Sequence, residues 1–153
     1  MLLQRLNKND LPEIIAFNRR CFSPGDRWSG EDWTELLEDE RAHYYALLEN
    51  GQIVGNMFLY DWQGERDFLK IMNLGVAPDR RGQGLACRLL QKAAEELKAS
   101  MLTRCCGETR ESNLAMRRVF ERCGYQLNKT EESYYENPTE SACKYVLRRE
   151  ELE

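Results

Sequence analysis

Apolar residues recur along this chain in two periods. In some stretches they fall on alternate positions and in others one helical turn apart, and each change of period marks an element. Leu2 to Leu6 alternates as a first strand. Asp10 followed by Pro12 predicts a helix start, and Ile14, Ile15, Phe17 and Cys21 form the stripe of a helix ending near Cys21. Ser23-Pro24-Gly25-Asp26 is a loop. Ser29, with Asp32 three residues on, predicts a capping box for a second helix that buries Trp33, Leu36 and Leu37. The acidic run Glu38-Asp39-Glu40 reads as its solvated end. Tyr44–Leu48 and Ile53–Tyr60 are strands joined at Asn50-Gly51, a strong hairpin signal. A turn over Gln63–Arg66 leads to a central strand, Phe68–Val76, in which Gly75 marks a bulge or a close approach. Leu85, Leu89, Ala93 and Leu97 predict a helix from Gly84 to Ala99, followed by a fifth strand from Met101 to Glu108. Ser112 is the expected cap of a helix with Ala115, Met116, Val119, Phe120 and Cys123 on one face. Arg117, Arg118, Glu121 and Arg122 lie on the other, and Gly124 stops it. Tyr125–Lys129 and Cys143–Leu147 close the sheet as a pair. The expected order is β-α-α-β-β-β-α-β-α-β-β.

Length and composition narrow the class. The 153 residues suffice for one domain, 1–153, with a real core. A hydrophobic share of 42% beside a charged share of 31% is ordinary for a globular protein. No apolar run approaches the roughly 20 residues of a membrane span, and Met1–Lys8 lacks the apolar core of a signal peptide. The expectation is a cytoplasmic protein without membrane contact. A net charge of −4 argues against a nucleic-acid partner. It suits a cationic acceptor such as an amine, although acids that merely solvate the surface give the same balance. The six cysteines contain no Cys-x-x-Cys and read as free thiols. Cys105 and Cys106 face opposite sides of a strand, while Cys87 and Cys123 read as small buried hydrophobes. With His43 as the only histidine, no metal site is expected.

The chemistry concentrates between Asn73 and Cys87, where a strand runs through a basic glycine-rich turn into a helix start. Unpaired N–H groups and the helix dipole make an anion cradle there, with Arg80 and Arg81 at its rim. No Gly-Lys-Ser/Thr follows Gly84, which excludes a Walker loop. A dinucleotide fingerprint would need glycine where Cys87 stands, but Glu108, roughly 20 residues on, keeps that alternative open.

Arg81-Gly82-Gln83-Gly84-Leu85-Ala86, preceded by Val76-x-Pro78, resembles the acetyl-coenzyme A site of the GCN5-related N-acetyltransferases (GNATs). Glu108-Thr109-Arg110-Glu111-Ser112-Asn113, with the helix ending at Cys123-Gly124-Tyr125, is similar to that family's second motif. Ser133-Tyr134-Tyr135-Glu136-Asn137-Pro138 resembles the double-tyrosine hairpin of its protein N-terminal members, most closely the bacterial ribosomal-protein alanine N-acetyltransferases. The resemblance implies a single-domain α/β (α+β) fold, a mixed and mostly antiparallel sheet of about seven strands flanked by about four helices. It implies acetyl-CoA as cosubstrate, with no metal. The acceptor would be a primary amine, either the N-terminal α-amine of a protein or a small amine.

Carried onto this sequence, the resemblance makes Glu108 the base, acting through water. Leu74, Gly75 and Val76 would offer main-chain groups to the pantetheine arm, and Arg81, Gly82, Gln83, Gly84, Leu85, Ala86 and Cys87 would hold the pyrophosphate. Asn113 would bond the coenzyme or else serve only as a helix-entry residue, and Tyr134 and Tyr135 would close over a peptide. Glu136 and Glu140 either hold the amine or solvate a loop. Phe120 stands among the coenzyme contacts where the family places a tyrosine acid, and phenylalanine cannot donate a proton. That departure leaves open a catalytically weak acyl-CoA sensor. Tyr125, just past the helix, is expected in the core.

Overall fold

In the computed structural model, residues 1–62 and 64–152 are described. The strands are β1 (Leu2–Leu6), β2 (Ala42–Glu49), β3 (Gln52–Asp61), β4 (Phe68–Val76), β5 (Arg104–Arg110), β6 (Gln126–Tyr135) and β7 (Glu140–Arg148). The helices are α1 (Leu11–Cys21), α2 (Gly30–Glu38), α3 (Leu85–Ala99) and α4 (Leu114–Arg122). The strands form one sheet in the order β1-β2-β3-β4-β5-β7-β6, antiparallel except where β4 meets β5. Order, strand number and helix number are those expected from the sequence. The Ser29–Asp32 capping box forms, and Asn50 and Gly51 take positive φ in the β2–β3 turn. Gln63 of the next turn lies outside the described residues. No helix among the described residues is long and apolar enough to cross a membrane.

Each face of the sheet carries its own core. Leu89, Leu90 and Leu97 of α3 and Phe120 of α4 pack with Met57, Leu59 and Tyr145 on one side. Ile14 and Phe17 of α1 and Trp33 of α2 pack with Tyr44 and Phe58 on the other. Asn18 also lies on the buried side of α1, where the apolar stripe gave no sign of it. Its amide donates to Ile14 O (2.9 Å) and Asn56 Oδ1 (3.3 Å), and Asn56 Nδ2 donates to Asn73 Oδ1 (2.6 Å). These bonds satisfy polar groups that would otherwise be costly to bury, and they pin α1 to β3 and β4.

Several boundaries move for local reasons. Residue 101 does not begin β5. The Ser100 hydroxyl bonds Leu97 O and accepts from Leu102 N, so Met101 is turned out and 83% exposed. β5 then runs past Glu108 to Arg110, and Glu108 lies within the strand rather than at its end. Asn113, not Ser112, caps α4 by accepting from Met116 N (3.1 Å), while Ser112 N donates to Glu140 Oε2 (2.7 Å). Arg117 is not on a purely solvated face, for its Nε donates to Tyr145 Oη at 3.2 Å. Nor is Asp39 merely solvated; it accepts from Tyr60 Oη and Arg41 N. Cys87 and Cys123 are half-buried rather than core residues, and burial raises the Cys123 thiol to about 12.

The feature that positions the site is the parting of β4 from β5. They pair only over Phe68–Lys70 and Arg104–Cys106. Just beyond, Phe58 faces Asn73 and Leu59 faces Ile71, so Met72 is an extra residue in β4 and the strand bends there. The bulge is therefore at Met72 and not at Gly75. Gly75 serves a close approach instead, since a Cβ on it would lie 2.7 Å from Phe22 Cζ.

Candidate active site

A cleft of about 400 Å³ opens beside β4 on the side where the strands part. Leu74, Gly75 and Val76 form one wall. Arg81, Gly82, Gly84, Leu85, Ala86 and Cys87 line it at the start of α3, and Asn113 lines it from the start of α4. The sequence brings these together because β4 delivers the chain straight into the turn and α3 begins with no side-chain cap. Gly82 and Gly84 both have positive φ (80° and 78°), and a Cβ on either would meet nothing within 4 Å. Uncapped N–H groups at the start of a fifteen-residue helix, fronted by open space, suit a diphosphate. Gln83 is exposed in the same turn but does not line the cleft. Arg80 reaches the rim with its charge matched by Glu49 (2.5 Å). Arg81 donates to the carbonyls of Val76 and Cys21 and so braces the turn.

Cys105 and Gly107 of β5 face the core under α3 and α4, so Glu108 points to the other face of the sheet, where it is gripped by cations. Lys70 Nζ of β4 lies 2.7 Å from Oε1, and Lys144 Nζ of β7 lies 3.6 Å from Oε2. Tyr134 Oη donates to Oε1 at 2.9 Å. The side chain is 12% exposed. Burial pushes the carboxyl up, but the bond and charge of Lys70, with Tyr134 and Lys144, outweigh it and hold Glu108 below the usual carboxylate range. Oε2 is buried and accepts no hydrogen bond among the described residues. Burial and the bond to Glu108 raise the Tyr134 phenol to about 12, so it remains a donor. Neither lysine was legible as a site residue, although Lys70, a charge inside an apolar central strand, was the available signal.

Tyr134 and Tyr135 close β6, ring centroids 5.1 Å apart and edge to face. Tyr134 is exposed and Tyr135 half-buried. Glu140 is not free to hold an amine, because its carboxylate takes Ser112 N (2.7 Å) and Arg110 Nη1 (3.4 Å). Tyr125 is buried with its hydroxyl on Cys105 Sγ (3.4 Å), as the core placement requires.

Phe120 departs from its expected place at the coenzyme. It is 1% exposed and stacks on Tyr145, with centroids 5.0 Å apart. Its ring tip points at β5, since a Cβ on Gly107 would lie 2.7 Å from Phe120 Cζ. A tyrosine hydroxyl there would be driven into the β5 main chain rather than toward the cleft. Phe120→Tyr is therefore expected to lower stability by about 1–3 kcal/mol without raising turnover. Thermal melts and steady-state rates measured together check this, and a faster enzyme of wild-type stability would overturn it.

Residues 11–125 match the Acetyltransferase (GNAT) family. Over 141 residues the chain is 30% identical to a Bacillus subtilis (strain 168) protein named "putative ribosomal protein bS18-alanine N-acetyltransferase", covering 92% of this chain and 90% of that one. The crystal structure of the ribosomal-protein-S18-alanine N-acetyltransferase from Escherichia coli superposes with a TM-score of 0.86 at 24% identity, covering 99% of this chain and 98% of that one. Arabidopsis thaliana NAA60, solved in complex with acetyl-CoA, gives 0.81 at 14% identity over 96% and 97% of the two chains. The dinucleotide alternative falls with the family match.

Proposed function

The chain belongs to the acetyltransferase (GNAT) family and is an acetyl-CoA-dependent N-acetyltransferase, and we propose that its acceptor is the N-terminal α-amine of a protein. The similar Bacillus protein makes the alanine terminus of ribosomal protein bS18 the first substrate to try. On this reading residues 1–153 act as one cytoplasmic catalytic domain, with Glu108 as base.

When bound, acetyl-CoA supplies an activated acetyl thioester. The main-chain amides from Gly82 to Cys87 would hold its diphosphate, and Leu74–Val76 would guide its arm toward the gap between β4 and β5. A free α-amine has a pKa near 8, so roughly a tenth is neutral at pH 7, whereas lysine near 10.4 is far less available. A weak carboxylate, held below the usual carboxylate range by Lys70, Tyr134 and Lys144 and working through water, suffices to take the α-amine's proton. Oε2 of Glu108, buried and without a hydrogen bond among the described residues, keeps the acceptor capacity for that water, because Oε1 already holds Lys70 and Tyr134. As the amide forms and the C–S bond breaks, the departing thiolate takes its proton from solvent, since position 120 offers none.

The observation that carries the acceptor assignment is the charge around Glu108. Two lysines face one carboxylate, with Glu131 bonded to Lys144 (3.4 Å) behind them. Both lysines are matched by these two glutamates, so none of the four groups is left to pair the additional charges of a polyamine, whereas an α-amine brings a single charge that it must lose to react. The hairpin tyrosine touching Glu108 supports the same reading, because a phenol beside the reacting amine can also bond a peptide main chain. The test is thiol release from acetyl-CoA with peptides of different first residue beside a panel of polyamines. Release with alanine-initiated peptides, and little with polyamines, is expected. Preference for polyamines overturns the acceptor assignment. Tight coenzyme binding without release by any acceptor would instead make the chain an acyl-CoA sensor.

A further inference from the structure

Arg110 ends β5, and its guanidinium draws together two loops from distant parts of the chain. All five of its N–H donors have acceptors. Nε and Nη2 take the two oxygens of Asp26 (3.2 and 2.9 Å) as a bidentate pair. Nη1 donates to Pro138 O (2.7 Å) and reaches Glu140 Oε1 (3.4 Å), while Nη2 also donates to Glu136 O (2.8 Å). The ring of Tyr135 lies 4.7 Å from the guanidinium carbon. The loops also touch without the arginine, for a Cβ on Gly25 would lie 2.6 Å from Asn137 O.

The two loops serve different halves of the site. Phe22, Ser23 and Asp26 line the donor cleft, and Phe22 leans on Gly75. The β6–β7 hairpin contributes nothing to that cleft among the described residues; its β6 arm carries Tyr134, which bonds Glu108. A single guanidinium shared between them makes ordering of one loop lower the entropic cost of ordering the other.

We infer that Arg110 is a positioning residue that couples the halves: a coenzyme seated against the 22–26 loop orders, through Asp26 and Arg110, the hairpin that receives the acceptor. This rests on the cleft being the coenzyme site. By linkage, a bound acceptor tightens the coenzyme by the same factor.

Amide hydrogen exchange of the whole protein, with and without coenzyme A, tests it. In the wild type, coenzyme A is expected to slow exchange several-fold both at residues 82–87 and at 134–140. In Arg110→Met the slowing at 82–87 persists and that at 134–140 disappears, with Arg110→Lys restoring part of it. Gly25→Val, whose side chain pushes Asn137 and with it the flanking Glu136 and Pro138 carbonyls off the Arg110 guanidinium, gives the same selective loss and serves if Arg110→Met does not fold. Hairpin exchange indifferent to coenzyme A in the wild type, or still slowed in both variants, overturns the coupling. Absence of slowing at 82–87 in the wild type removes the cleft reading itself, and the coupling with it.

Discussion

Replacing Glu108 by glutamine is expected to lower kcat by roughly 10²–10³-fold, the range general-base catalysis commonly supplies, while the Kd for acetyl-CoA stays within about twofold. The amide keeps the shape of the carboxylate and still accepts a bond from Lys70, so the fold should hold. What it loses is the ability to take a proton. The donor cleft lies elsewhere, against Leu74–Val76 and the start of α3, which is why affinity for the coenzyme should not follow. Lys70→Met is the complementary arm. In the wild type Lys70 keeps Glu108 ionised below the usual carboxylate range, so at pH 6 the base is already charged and the rise of rate with pH reports the acceptor amine. Without Lys70 the effect of burial is less opposed, the carboxyl shifts upward, and an acid limb appears at higher pH. Above that limb kcat stays near wild type. Titration calorimetry with pH–rate profiles of both variants checks the pair. An unchanged kcat in Glu108→Gln removes the residue from the mechanism.

That experiment turns on a partner the sequence hid. The element order, the Asn50-Gly51 turn, the Ser29–Asp32 box and the glycine turn that leads into α3 were all legible, because each is written in local periodicity or turn chemistry. Gly75 was legible only as special. Its reason, the Phe22 ring, lies on a loop that no local pattern brings near β4. The lysines around Glu108 come from strands on either side of β5, so their convergence depends on the β4–β5–β7 register. Phe120 shows the opposite limit. Matching it to the family motif placed it at the coenzyme, yet its ring direction is set by the absence of a side chain at Gly107, thirteen residues earlier on another element. Arg110 lies inside the Glu108–Asn113 motif, yet its role is not legible there, because its five acceptors come from segments far from it in the chain.

The second large effect is expected at Gly84. Gly84→Val should weaken coenzyme A by about ten- to a hundredfold, a loss of roughly 1.4–2.7 kcal/mol in binding free energy. Gly84 holds φ 78° as the residue before α3, a left-handed conformation that costs a residue with a Cβ about 1–2 kcal/mol, and a β-branched one more. No neighbour stands within 4 Å of the added Cβ, so the free protein suffers backbone strain but no collision. The strain is relieved by turning the peptide groups at the uncapped start of α3, and the new side chain stands on the cleft wall. Gly51 provides a matched control. It has φ 79° and equally open surroundings, but sits in the β2–β3 turn and does not line the cleft. Gly51→Val should cost comparable stability, a fall of several degrees in Tm for a chain of this size, with coenzyme affinity unchanged. Melting curves and calorimetry on the two variants separate strain from binding. Equal loss of affinity in both, or in neither, would show that the turn from Gly82 to Cys87 does not hold the diphosphate.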